Sequence, residues 1–308
     1  MDNRHFMEIQ KTVFEAAFER NGRCFMLIDA SLKQYQSNDF LYKLLESYNP
    51  HIIKFNREEL HDALPLYLVS LDFKIKQDIE LFNHSIRHAL TELDPGRINA
   101  GEGRSVCAWI STELNREQLS ESIAGMIIQP LQSGNDVLVR YFDPSVFGLL
   151  LPVLDNWQSQ QLLRDINAWC YIDGGGNAQI MNGGGDQVKK LNYSLGLSED
   201  DFAKINNILV INKVLRSYRK NKIPETLNEQ QIAELLHPAI PFFYSKFASV
   251  DDGIIDFCLD VLHARWPFYQ GVLFERYMSE KCNKYLNFYA DLKSMVEIDI
   301  WKEIIFFS

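Results

Sequence analysis

The period of the sequence changes between residues 137 and 154. Val137, Val139 and Tyr141 alternate with Leu138, Arg140 and Phe142, the two-residue repeat of a strand with both faces buried. Asp143-Pro144 then opens a helix pattern that runs through Leu149, Leu150 and Leu151. Aspartate is a good N-cap, and proline suits the first helical position because its missing N–H had no partner there. The strand-to-helix junction is therefore specified locally. Arg140, between Leu138 and Phe142, needs a carboxylate or carbonyl partner or else costs several kcal/mol, roughly. The expected partner is Asp29 or Asp143; the alternative is that the side chain snorkels to solvent from the rim of a sheet.

Similar patterns recur on the N-terminal side. Residues 5–20 have apolar positions at helical spacing, ended by Asn21-Gly22, and Cys24 to Ala30 is a short apolar run that suits a central strand. A helix is expected around residues 40–47, a strand over 64–71 with Pro65 at its start, and a helix over 74–93. Asp94-Pro-Gly96 stops that helix, and a glycine-containing loop is expected up to Arg104. A strand over 105–111, a helix capped by Asn115, the strand at 136–142, a helix around 159–167 and a hairpin across Gly174 to Gly176 follow. Strands alternating with helices imply an α/β lobe, a mixed sheet with flanking helices. The second glycine run, Gly183 to Gly185, reads as a flexible link, giving an α/β domain over 1–185 and a mostly α-helical one over 186–308.

In the second domain Ser198 and Asp201 suit a capping box before a helix carrying Phe202, Ile205, Leu209 and Leu215. A short helix over 228–236 is expected to stop before Pro238, another runs from Ile254 to Leu262, and a last long one covers 271–296.

With 46% hydrophobic and 23% charged residues, 308 residues are enough for real cores. The net charge of −10 argues against nucleic acid as a principal partner, since that affinity comes from clustered Lys and Arg. The five cysteines, at 24, 107, 170, 258 and 282, form no Cys-x-x-Cys pair and read as buried hydrophobes in a reducing compartment. No apolar run approaches the roughly 18 to 20 residues that span a bilayer, and the N-terminus lacks a signal-peptide core. A cytoplasmic protein without membrane partners is expected. Aromatic residues reach 12%, a surplus that goes into cores or into a binding surface.

Motifs for chemistry are sparse. The glycine runs lack phosphate-loop spacing and read as turns. His84 and His88 share a helix face, but they lack the zinc-protease glutamate and read as exposed histidines. Asp29 at a strand end is either an ion-pair partner for Arg140 or the carboxylate of a hydrolase-like enzyme. No nucleophile elbow, metal site or cofactor motif is found. The basic cluster Lys213, Arg216, Arg219, Lys220 and Lys222 is either a solvated helix end or a docking patch for an acidic segment. The aromatic stripe with Tyr277, Tyr285 and Tyr289, and the tail from Trp301, are either core or an exposed groove.

Four blocks in order, Phe25-Met-Leu-Ile-Asp-Ala30, Leu64-Pro-Leu-Tyr-Leu-Val69, Trp109-Ile-Ser111 and Val139-Arg-Tyr-Phe-Asp-Pro144 with Leu149-Leu-Leu-Pro152, resemble the effector adaptor or chaperone family of the bacterial type VI secretion system, the Tap or TEC proteins. The resemblance covers roughly residues 24–173. It implies a non-enzymatic cytoplasmic protein that binds a toxic effector and helps load it onto the VgrG spike, in some cases through a PAAR-type element. Asp29, Arg140, Tyr141, Phe142, Asp143 and Pro144 would then be architecture. Recognition of one cognate effector would fall in the helical half, outside the four blocks. A scaffold that binds the spike alone is a further alternative.

Overall fold

The computed structural model describes residues 3–32, 40–57, 59–100, 102–184, 193–220, 227–247, 253–281 and 288–306. It divides into two compact units, Met1–Phe202 and Ala203–Ser308.

The first unit is built on a six-stranded sheet in the order β2-β3-β1-β4-β7-β8. Its strands are β1 (Arg23–Asp29), β2 (His51–Ile52), β3 (Leu66–Asp72), β4 (Val106–Thr112), β7 (Ile166–Ile172) and β8 (Ala178–Asn182). Every pairing is antiparallel. β1 suits the centre because Cys24, Met26, Leu27 and Ile28 are apolar and buried, as a strand covered on both faces requires. Cys24, Met26 and Ile28 point to one face, where α1 (Asn3–Phe18) and α4 (Lys76–Thr91) supply Val13, Phe18, Phe82 and Ile86. Phe18 and Phe82 meet edge to face at 5.3 Å, a favoured aromatic geometry. On the opposite face Trp169 of β7 stacks on Phe147 at 5.3 Å. Phe147 belongs to α7 (Pro144–Leu150). The sheet with flanking helices is the architecture expected for this region.

Short helices α2 (Phe40–Glu46), α3 (Glu59–Ala63) and α5 (Pro95–Asn99) lie in the connections. α5 occupies part of the stretch expected to be loop: the Asp94 carboxylate accepts from the N–H groups of Gly96 and Arg97, and Pro95 stands at the helix start. The proline that stops α4 thus starts the next turn. α6 (Arg116–Ile127) and α8 (Asn156–Leu163) each begin in a full capping box, Asn115 with Gln118 and Asp155 with Gln158.

The expected strand over 136–142 is shorter and lies elsewhere. β6 covers Asp136–Leu138 and pairs with β5 (Ile128–Pro130) in a separate two-stranded ribbon. Val139, Tyr141 and Phe142 are buried but lie outside any strand. Burial of consecutive residues here comes from a turn packed against β7, where Tyr141 sits 5.7 Å from Trp169. Gly183 is no flexible link either: a Cβ there would collide with the carbonyl oxygens of Ile166 and Leu163. Gly185 lies outside the described residues. The division between units falls after Phe202 because residues 193–201 are tied to the first unit. Leu195 donates its N–H to Gln129 Oε1 at 2.7 Å, and Leu195 and Leu197 are buried.

The second unit is helical. α9 (Glu199–Lys220) begins with Ser198 and Asp201 bonded reciprocally and continues into this unit, followed by α10 (Glu229–Lys246), α11 (Gly253–Ala264), α12 (Val272–Lys281), α13 (Tyr289–Met295) and α14 (Ile298–Phe306). α10 does not stop before Pro238; it contains Pro238 and Pro241. An interior proline costs about 3 kcal/mol, and the buried face of Ile232, Leu236, Ile240 and Phe243 offsets that. The long helix expected over 271–296 is not continuous, since Phe288 is extended where α13 starts. Much of the aromatic surplus is here: Phe257 meets Tyr289 at 5.2 Å, and Phe268 meets Trp301 at 6.1 Å. No described helix is long and apolar enough to cross a membrane.

Candidate functional site

Asp29 closes β1, where its N–H donates to the carbonyl of Ser105 at the start of β4. Its carboxylate is buried. Oδ1 accepts from the N–H of Ser31 at 3.0 Å and from its hydroxyl at 2.5 Å. Oδ2 accepts from Arg140 Nη2 at 2.9 Å. Arg140 also lies 3.7 Å from Asp143 Oδ2, and its guanidinium sits 5.2 Å from the centre of the Phe142 ring. Both expected carboxylates therefore flank it, while its side chain stays 40% exposed, so pairing and snorkelling coexist. Asp143 Oδ1 accepts from the N–H of Ser145 at 2.8 Å, capping α7, and Pro144 follows at the first helical position.

A second buried network involves β4 and α4, and the sequence reading missed it. Glu92, the residue after α4, is fully buried. Its Oε1 accepts from the N–H of Ser105 at 2.7 Å and from the Ser105 hydroxyl at 2.5 Å, and lies 3.2 Å from His88 Nε2. Its Oε2 accepts from the N–H of Val106 at 3.3 Å. Burial pushes the Glu92 pKa up, but the hydrogen bond and charge of His88 and the donors of Ser105 outweigh it, leaving the carboxyl at about 2. His88 is thus buried and not an exposed helix histidine, whereas His84 is half-buried, its ring 4.6 Å from Phe40. The usable signal was His88 and Glu92 at i and i+4 on an apolar helix face.

Serine, histidine and glutamate together have a hydrolase's composition but not its arrangement. In a triad the histidine stands between hydroxyl and carboxylate; here the hydroxyl donates to the carboxylate itself. All three side chains are buried. The arrangement clamps the end of α4 to the start of β4. Among the described residues no group of three or more His, Cys, Asp or Glu is placed to hold a metal ion.

The expected partner-binding residues do not share one environment. Lys213 and Arg216 are exposed on α9, and Lys220 ends that helix. Arg219 Nη2 is paired with Glu229 Oε1 at 3.3 Å. Tyr277 is half-buried. Tyr289 is core, not surface: it is fully buried and donates its hydroxyl to Asp260 Oδ2 at 2.8 Å. Lys222 and Tyr285 lie outside the described residues. Trp301, Ile304 and Ile305 of the tail are buried, while Phe306 is exposed.

The chain matches no family model, no curated protein and no solved structure.

Proposed function

We propose that this chain is a cytoplasmic, non-enzymatic adaptor that binds a type VI secretion effector and helps load it onto the VgrG spike. The observation that carries the reading is the Asp29–Arg140 contact. It joins the first block of the family resemblance, residues 25–30, to the fourth, residues 139–144. The chemistry-bearing side chains of those blocks are spent on each other and on a helix cap. Such a use of charge braces a scaffold and leaves binding to other surfaces.

The test is a pull-down of the tagged protein from its native cell, with mass spectrometry of what stays bound. A toxin-like effector together with VgrG is the expected result. A preparation free of protein companions that turns over a small molecule, with turnover lost in Asp29→Asn, contradicts the reading.

A further inference from the structure

α9 carries a cationic stripe with no ion-pair partner among the described residues. Ile208, Ile211, Val214, Leu215 and Tyr218 are its buried positions, whereas Leu209, Lys213 and Arg216 are exposed. Steps of four and three residues place these three on one side of a helix, over about 10 Å at 1.5 Å per residue. Leu209 is 68% exposed. Neither Lys213 nor Arg216 forms an ion pair with a described residue, in contrast to Arg219, which is held by Glu229. In a chain of net charge −10 the overall field repels an acidic segment, and this stripe attracts one.

We propose that Leu209, Lys213 and Arg216 dock an acidic amphipathic helix of the partner polypeptide. The proposal rests on the adaptor reading for what that partner is; the chemistry of docking rests on the stripe. Carboxylates spaced three and four residues apart on a helix match the spacing of Lys213 and Arg216. Exposed ion pairs contribute little singly, so the leucine supplies apolar contact while the charges set register and exclude basic partners.

The probe is a fluorescein-labelled peptide of about five helical turns, with leucine on one face and glutamate on the other, titrated with the full chain at low salt. A peptide of the same pattern with lysine for glutamate is the control. Wild type is expected to bind the glutamate peptide at least about tenfold more tightly than the lysine peptide. Lys213→Glu with Arg216→Glu should reverse that preference, and Leu209→Ala should weaken binding by about tenfold. Circular dichroism checks that the variants fold, and Lys213→Gln with Arg216→Gln replaces the reversal if they do not, with loss of preference expected. A preference that survives these changes, no binding of either peptide by wild type, or capture of anionic vesicles in place of the peptide overturns the proposal. Stripe-dependent peptide binding by a chain that co-purifies with no effector sinks the adaptor reading alone; an effector held equally well by the charge-reversed chain sinks the stripe alone.

Discussion

Arg140 Nη2 lies 2.9 Å from Asp29 Oδ2 across a separation of 111 residues. The contact ties the turn before α7 to the end of the central strand. The Asp29 side chain is almost fully buried while Arg140 is 40% exposed, so the two ends respond differently to loss of the partner. Arg140→Ala leaves a buried carboxylate supported, among the described residues, by Ser31, and should cost about 2 kcal/mol, a figure reduced for the solvent at the guanidinium. Asp29→Ala should cost a similar amount, and the double variant less than the sum, with a coupling of about 1 kcal/mol. Urea denaturation of the four proteins measures it; strict additivity contradicts it.

Glu92 sets an acid limit on stability. Its folded pKa, about 2, lies below the ordinary value of about 4.3 for an unfolded chain. The stability it supplies is therefore present above the unfolded value and lost as pH falls from there toward the folded one. Denaturant midpoints measured between about pH 5 and pH 2 should fall, and Glu92→Gln should flatten its share of that slope while costing about 2 to 4 kcal/mol at neutral pH.

Arg104 is the reverse case. It is buried, and donates Nη2 to the carbonyl of Ile172, while its Nε and Nη1 have no hydrogen-bond partner among the described residues. A buried cation held by one carbonyl recovers little of its desolvation cost. Arg104→Met, which keeps the length of the apolar stem, is expected to be neutral or to raise stability by about 1 kcal/mol. A large loss of stability in a thermal melt contradicts this.

Two glycines separate close packing from backbone conformation. Gly183 has carbonyl oxygens of Ile166 and Leu163 where a Cβ would go, whereas Gly134, at φ +87°, has nothing within 4 Å. Gly134→Ala should cost about 1 kcal/mol for its left-handed backbone. Gly183→Ala, which must displace backbone, should cost more, about 3 kcal/mol.

Burial pushes the Cys170 and Cys258 thiols up to about 12, and those of Cys24 and Cys107 well above their usual value. A thiol that stays protonated and covered does not react. In a Cys282→Ser variant, a thiol-reactive chromophore should give no signal at pH 8 until the protein is unfolded.

Much of the sheet was legible because its signals are local. β1 and β4 hold five-residue apolar runs, Cys24 to Ile28 and Val106 to Ile110, and the caps Asn115 and Asp143 stand beside the helices they start. The errors have a common cause. Val139 to Phe142 read as a strand because burial there is tertiary, and α10 runs through Pro238 because packing outweighs a lost hydrogen bond. The Asp29–Arg140 pair was found from the cost of burying an arginine. The Glu92 clamp was not, because its donors Ser105 and Val106 are contributed by a strand that the helix pattern does not foretell.

Titration calorimetry of whichever partner protein the pull-down recovers, against wild type and Arg140→Ala below both melting temperatures, tests most directly whether the Asp29–Arg140 brace serves a binding scaffold. The account predicts the same Kd for both proteins, with the melting temperature of Arg140→Ala lowered. An unchanged melting temperature with binding abolished would place Arg140 at the binding surface and contradict it.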